Sequence, residues 1–166
     1  AGLTMEEIEL DSLNIFLRGS GQSPTRIYEQ AVGNCLSVVA RPGMAAPEWQ
    51  VELGHPATRP VGFAEDEALL PNGPRTFSGY RLLREYFTFP SRFLFFEING
   101  LAPAVKRCVG SALDIFCLFD RSDRELENAI GAGDFALHCT PAINLFAKRA
   151  DRIHLDQRSN EYHVVP

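Results

Sequence analysis

No run of eighteen apolar residues occurs in this 166-residue chain, so a membrane-crossing helix is not expected from it. An excess of basic charge is missing too. Sixteen Lys and Arg stand against twenty-one Asp and Glu, a net charge of −5, and the basic residues are scattered among acids. The densest group, Lys148, Arg149 and Arg152, is interrupted by Asp151 and Asp156. Phosphate backbones need clustered cations, so nucleic acid is not an expected partner. The four cysteines (Cys35, Cys108, Cys117 and Cys139) have neither metal-type nor redox-type spacing. Each lies in an apolar or small-residue context, which reads as reduced core thiols and points to a cytoplasmic compartment. Ala1 to Met5 lack the charged and apolar regions of a signal peptide. Phosphate-binding glycine loops, H-E-x-x-H, nucleophile elbows and EF-hand loops are also missing, so the expectation is no catalytic residue, no metal and no cofactor.

What remains is an ordinary globular composition, 45% hydrophobic and 22% charged, at the length of one domain. Eight of the seventeen aromatics fall in one stretch, Phe77 to Leu101 (FSGYRLLREYFTFPSRFLFFEINGL). Ser78 suits a helix N-cap, with Phe77 and Leu82 as a hydrophobic staple around it. Leu82, Leu83, Tyr86 and Phe87 share one side of that helix at spacings of one, three and four. The pattern therefore predicts an apolar inner face, with Arg81, Arg84 and Glu85 outward. Pro90 stops the helix near Thr88. Phe93 to Ile98 then reads as a strand covered on both faces, closed by an Asn99-Gly100 turn.

Elsewhere the periodicity predicts strands at 8–17, 35–40, 49–53, 112–119, 135–138, 143–146, 152–155 and 162–165. A helix begins at Ser23-Pro24 and ends at Gly33-Asn34, and a short one opens with a capping box at Ser122 to Glu125. Residues 54–74 read as a long ordered loop or short strands. The fold class is α+β: β-rich mixed sheets with about three short helices. Residues 26–33 (RIYEQAVG) and 124–131 (RELENAIG) match each other, and each lies between apolar strands, which admits two pseudo-symmetric strand–helix–strand halves.

Several polar groupings are weighed as sites. Adjacent His138 and Cys139 on a strand point to opposite faces, which suits a core edge better than a metal pair. His154, Asp156 and His163 have no ligand spacing. Glu65, Asp66 and Glu67 read as a solvated acidic loop. Arg81, Arg84 and Glu85, on the outward side of the aromatic helix, are either a wet face or a protein contact, since Arg is enriched at interfaces. Trp49, the only tryptophan, divides between core and partner contact.

The run GYRLLREYFTFPSRFLFFEINGL resembles the signature of the TssF (ImpG/VasA) family, a baseplate component of bacterial type VI secretion systems. PVGFAEDEALLP at 60–71 and CTPAINLFAKRADRIHLDQRSNEYHVVP at 139–166 add to the likeness in the same order, and IYE at 27–29 matches more loosely. Ser91 and Glu97-Ile98-Asn99 depart from the usual filler. The resemblance implies that residues 1–166 are a single interior domain of a longer protein. It implies a structural role in a baseplate wedge around the spike, anchoring the contractile sheath at the cytoplasmic side of the inner membrane. The partners implied are a TssG-like subunit, a second TssF copy and other wedge subunits, with no small-molecule substrate and no membrane insertion. Trp49, Arg81, Arg84 and Glu85 are then the candidate partner interface. The alternative is a small-ligand-binding or hydrolytic α+β domain, which needs convergent polar groups in a pocket.

Overall fold

The computed structural model describes residues 2–71, 73, 76–146, 148–155, 158 and 160–164. Among them, two antiparallel sheets and four short α-helices form an α+β fold. Strands β1 (Ser12–Leu17), β2 (Cys35–Pro42), β3 (Val51–Glu52), β4 (Thr58–Pro60), β5 (Phe95–Asn99), β6 (Leu113–Phe119) and β7 (Phe135–Ala136) make up the sheets. One sheet has the order β4-β5-β1-β7 and the other β3-β2-β6. Helices α1 (Ser23–Tyr28), α2 (Ser78–Thr88), α3 (Ala102–Arg107) and α4 (Arg124–Glu127) connect them.

The first sheet is organised on the β1–β5 pair, in register from Ser12 opposite Asn99 to Phe16 opposite Phe95. The Phe16 and Phe95 rings stack with centroids 4.5 Å apart, a cross-strand contact of the kind that fixes register. Phe95, Phe96, Glu97 and Ile98 are all buried, as expected of a strand covered on both faces. Leu17 and Ile98 from this sheet, Val38 and Ala40 from β2, and Leu101, Ala104 and Val105 at α3 meet in one hydrophobic core with Ile27, Ala31 and Leu126. Arg26 ties α1 to the start of α4, its Nε and Nη2 donating to the Asp123 carboxylate at 2.9 and 2.8 Å. That carboxylate also accepts from the amides of Glu125 and Leu126, so Asp123, not Ser122, caps α4. Both residue types make good caps, and the bridge to Arg26 favours the aspartate.

Other boundaries move for identifiable reasons. Residues 8–11 lie outside β1 and follow a 3-10 turn at Met5–Glu7. The expected helix end at Gly33-Asn34 is kept, because α1 is followed directly by one wide helical turn, Glu29–Gly33. His138 takes a left-handed φ of 58°, which ends β7 early. No strand forms among the described residues of 143–146, 152–155 and 162–164; Val165 lies outside them. Cys139 is exposed, not a core thiol, whereas Cys108 is buried. Cys117 is pushed up to about 11 by burial, with the hydrogen-bonded Cys35 adding to it, so it stays a protonated thiol.

An internal two-fold is not shown. β1 pairs with β7 and β2 with β6, but β1 is interior to its sheet while β6, its would-be equivalent, lies at an edge.

Candidate protein interface

Helix α2 faces the opposite way from its apolar periodicity. Arg81 and Glu85 are 3% and 2% exposed, while Leu83, Tyr86 and Phe87 lie open, Phe87 at 79%. The inward placement has a cause outside the helix. The irregular segment 61–70 packs on α2, and its main-chain groups need partners once water is removed.

Glu85 and two arginines supply them. Glu85 Oε1 accepts from the amides of Leu69 and Leu70, both at 3.0 Å. Its Oε2 takes Arg81 Nη1 at 3.2 Å and is ion-paired with Arg92. Arg81 Nη2 donates to the carbonyls of Phe63 and Ala64 at 3.0 and 3.2 Å, and Arg92 Nη2 donates to that of Glu67. Burial lowers the Arg92 pKa, and the neighbouring Arg81 charge works in the same direction. Glu67 folds back so that its Oε2 accepts from the amides of Gly62 and Ala64 at 2.7 and 3.0 Å. Gly62 has φ +104°, and a Cβ there would stand 3.4 Å from the Arg92 carbonyl oxygen, so glycine fits this crossing. The result is an ionic clamp in which charged side chains hold main chain.

With its polar side engaged, α2 presents its aromatic side. Phe77 sits at the N-cap, a position expected for Ser78, and its ring covers Gly79, where a Cβ would lie 2.4 Å from the ring. Phe77 meets Tyr80 edge-on at 5.7 Å, and Tyr86 meets Phe87 at 5.5 Å. Beside these rings runs a groove of about 540 Å³, lined by Tyr28, Phe63, Leu82, Leu83, Tyr86 and Phe93. Burial pushes the Tyr28 phenol up. An exposed aromatic face of this kind is the candidate for a protein contact.

This arrangement corrects the expected interface. Arg81 and Glu85 are interior, so neither is presented to a partner, and only Arg84 of the three lies exposed. Trp49 belongs to a different part of the fold: it is half-buried against the core, with the Arg107 guanidinium 5.1 Å over its ring. The sequence reading missed Arg92 and Glu67 as members of the clamp. The only hint was a row of acids in a proline- and glycine-bounded loop, and it gives no target for them.

The other groupings separate. Glu65 and Asp66 are exposed while Glu67 is used within the loop. His138 and Cys139 are both exposed, and no group of three His, Cys, Asp or Glu able to hold a metal occurs among the described residues. Asp156 lies outside those residues. On β5, burial pushes the Glu97 carboxyl up. Hydrogen bonds from Arg59, Ser12 and Asn99, with the Arg59 charge, outweigh this and hold it below the ordinary carboxylate range. No helix among the described residues is long and apolar enough to cross a membrane.

The family model for the type VI secretion system protein TssF matches residues 1–166, the whole chain. The type VI secretion system component TssF1 of Pseudomonas aeruginosa (strain PAO1) is 46% identical over 167 residues, which is 99% of this chain and 26% of that protein. A chain in a TssK-TssF-TssG baseplate subcomplex solved by cryo-electron microscopy is similar in fold, with a TM-score of 0.70 and 28% identity. That match covers 87% of this chain and 26% of the other. The chain thus spans about a quarter of the length of each of these relatives. Sequence and fold agree, and this chain belongs to the TssF family of type VI secretion system proteins.

Proposed function

We propose that this chain is a single interior domain of a baseplate wedge subunit, and that its work is assembly. It holds a rigid surface toward TssG-like and other baseplate subunits at the cytoplasmic side of the inner membrane, and it makes and breaks no covalent bond. The observation that carries this reading is the aromatic face of α2, turned outward by the ionic clamp beneath it. A helix evolved only for the core would bury those rings. The displaced titratable groups support the same reading: Glu97 and Arg59 pair with each other across the sheet, and Arg92 is a member of the clamp. An acid or base for hydrolysis would instead converge with other polar groups on a cavity.

The test is capture of a TssG-like subunit by the full-length protein carrying Tyr80→Asp and Phe87→Asp. Both positions are exposed, so the variant folds and its circular dichroism matches the parent. Capture falls at least about tenfold if α2 is the contact, as expected when buried aromatic anchors become charged. Undiminished capture removes α2 from the interface and transfers the role to Trp49 and Arg84 or to another surface. Charge reversal at Glu85 is not a usable test, because it breaks the clamp.

A further inference from the structure

Strands β4 and β5 are antiparallel neighbours, and the chain leaves and re-enters their sheet at one point. The last ladder pair is Pro60 opposite Phe96, and the Val61 amide donates to the Phe95 carbonyl at 3.1 Å. Segments 61–70 and 77–93 are thus two limbs of an excursion from a hairpin, rooted a strand spacing apart.

The limbs hold each other rather than the core. No described side chain of 61–93 belongs to the hydrophobic core that joins the two sheets, or packs against it. Phe63 and Tyr86 meet Phe93 with ring centroids 5.0 and 6.1 Å away, and the rest of the seam is the ionic clamp. Toward α1 the limbs stand off across the groove, with Thr25 and Tyr28 on one wall and Leu82, Leu83 and Tyr86 on the other. The two interiors therefore stabilise unequally. Apolar burial contributes in proportion to the area removed from water. A buried ion cluster gains little net, because stripping water from each charge offsets the attraction. Here two guanidinium groups share the Glu85 carboxylate, and Arg92 Nε is buried with no hydrogen-bond partner among the described residues, a further cost.

We infer that the two limbs form one latched unit that opens without unfolding the sheets, with Glu85 as the latch. Glu85 ties the Leu69 and Leu70 amides of one limb to Arg81 and Arg92 of the other. Once it lets go, the limbs part about their roots at Val61 and Leu94, and α2 loses the loop that fixes which side it turns outward. The aromatic face is complete only in the closed unit, so a protein seated on it holds the latch shut. That last step rests on reading α2 as a contact, whereas the latch itself does not.

Hydrogen exchange of the full-length protein without partners, read by mass spectrometry, tests the latch. Amides of residues 82–88 in α2, with those of Leu69 and Leu70, should exchange at least about a hundredfold faster than those of β1 and β5. Ile98→Val loosens the core slightly and should speed exchange in β1 and β5 about fivefold while leaving α2 unchanged. Glu85→Gln should speed α2, Leu69 and Leu70 by one common factor, because a single event exposes them all. Equal rates in α2 and β5 overturn the proposal, and are the result expected if another part of the full-length protein straps α2 down. An Ile98→Val variant that speeds α2 as much as β5 overturns it too, since limbs and sheets then unfold together. Unequal factors for α2 and for Leu69 and Leu70 in Glu85→Gln show two independent segments and no latch. None of these readouts uses a partner, so the latch can fail while α2 remains the contact, and the reverse.

Discussion

Strand β5 and helix α2 come from the same aromatic stretch, four residues of Pro90–Phe93 turn and Leu94 apart beyond Phe89, and they treat their rings in opposite ways. β5 buries Phe95 and Phe96 and lies between strands β1 and β4 in its sheet. α2 displays Tyr80, Tyr86 and Phe87 and buries Arg81 and Glu85. The difference lies in what covers each element. A strand inside a sheet has its main-chain groups paired by its neighbours, so its environment asks only for apolar side chains. A helix packed under an irregular loop meets unpaired amides and carbonyls, and ion-bearing side chains answer them better than rings do.

One chemical change made on both sides is the strongest way to break the comparison. Phe96→Ala should cost about 3–5 kcal/mol, the usual effect of a large cavity in a packed core. Phe87→Ala should change stability by no more than about 0.5 kcal/mol, as at an exposed site. Urea denaturation of the two variants reads the contrast, and equal losses would mean that α2 is packed like β5.

Removing Glu85 is the next largest effect. Glu85→Ala strands two arginines and the amides of Leu69 and Leu70, with an expected loss of about 3–5 kcal/mol. A triple change to apolar residues (Arg81→Met, Glu85→Leu, Arg92→Met) sharpens the point. Apolar replacement rescues an ordinary buried ion pair, but here the loop main chain stays unpaired, so the triple variant remains destabilised in the same denaturation series.

The smallest effect concerns the charge that β5 does bury. Glu97 titrates below the ordinary glutamate value of 4.5 in the folded chain. Its contribution to stability is therefore complete above that value and is lost as pH falls through the lower folded one. Glu97→Gln removes this component, so the slope of stability against pH should flatten on the acid side and stay unchanged near neutrality. A parallel acid limb in the variant would show that Glu97 is not coupled to folding.

The elements carried by side-chain periodicity were legible in the sequence: the strands expected at 35–40, 93–98 and 112–119 form at 35–42, 95–99 and 113–119, and the helix ends at Thr88 ahead of Pro90. The face that α2 buries was not. Helical spacing tells which residues share a side, and the choice between sides was made by main chain at 61–70, which every sequence possesses alike. Arg92 was hidden for the same reason, since its ligands are a carbonyl and a carboxylate distant in sequence. Residues 143–146 and 152–155 carry a strand's alternation, but pairing requires an edge to pair with, and local pattern does not say where that edge is.

The clamp has a consequence for how this surface changes over generations. Arg81 and Arg92 bind carbonyls at Phe63, Ala64 and Glu67, and Glu85 binds amides at Leu69 and Leu70. Almost any amino acid offers those same groups. An exposed position of the segment such as Ala64 is thus free to be replaced while its path is kept. Recognition can drift residue by residue on an unchanging outline, and a lineage can exchange one binding partner for another without refolding the piece that meets it.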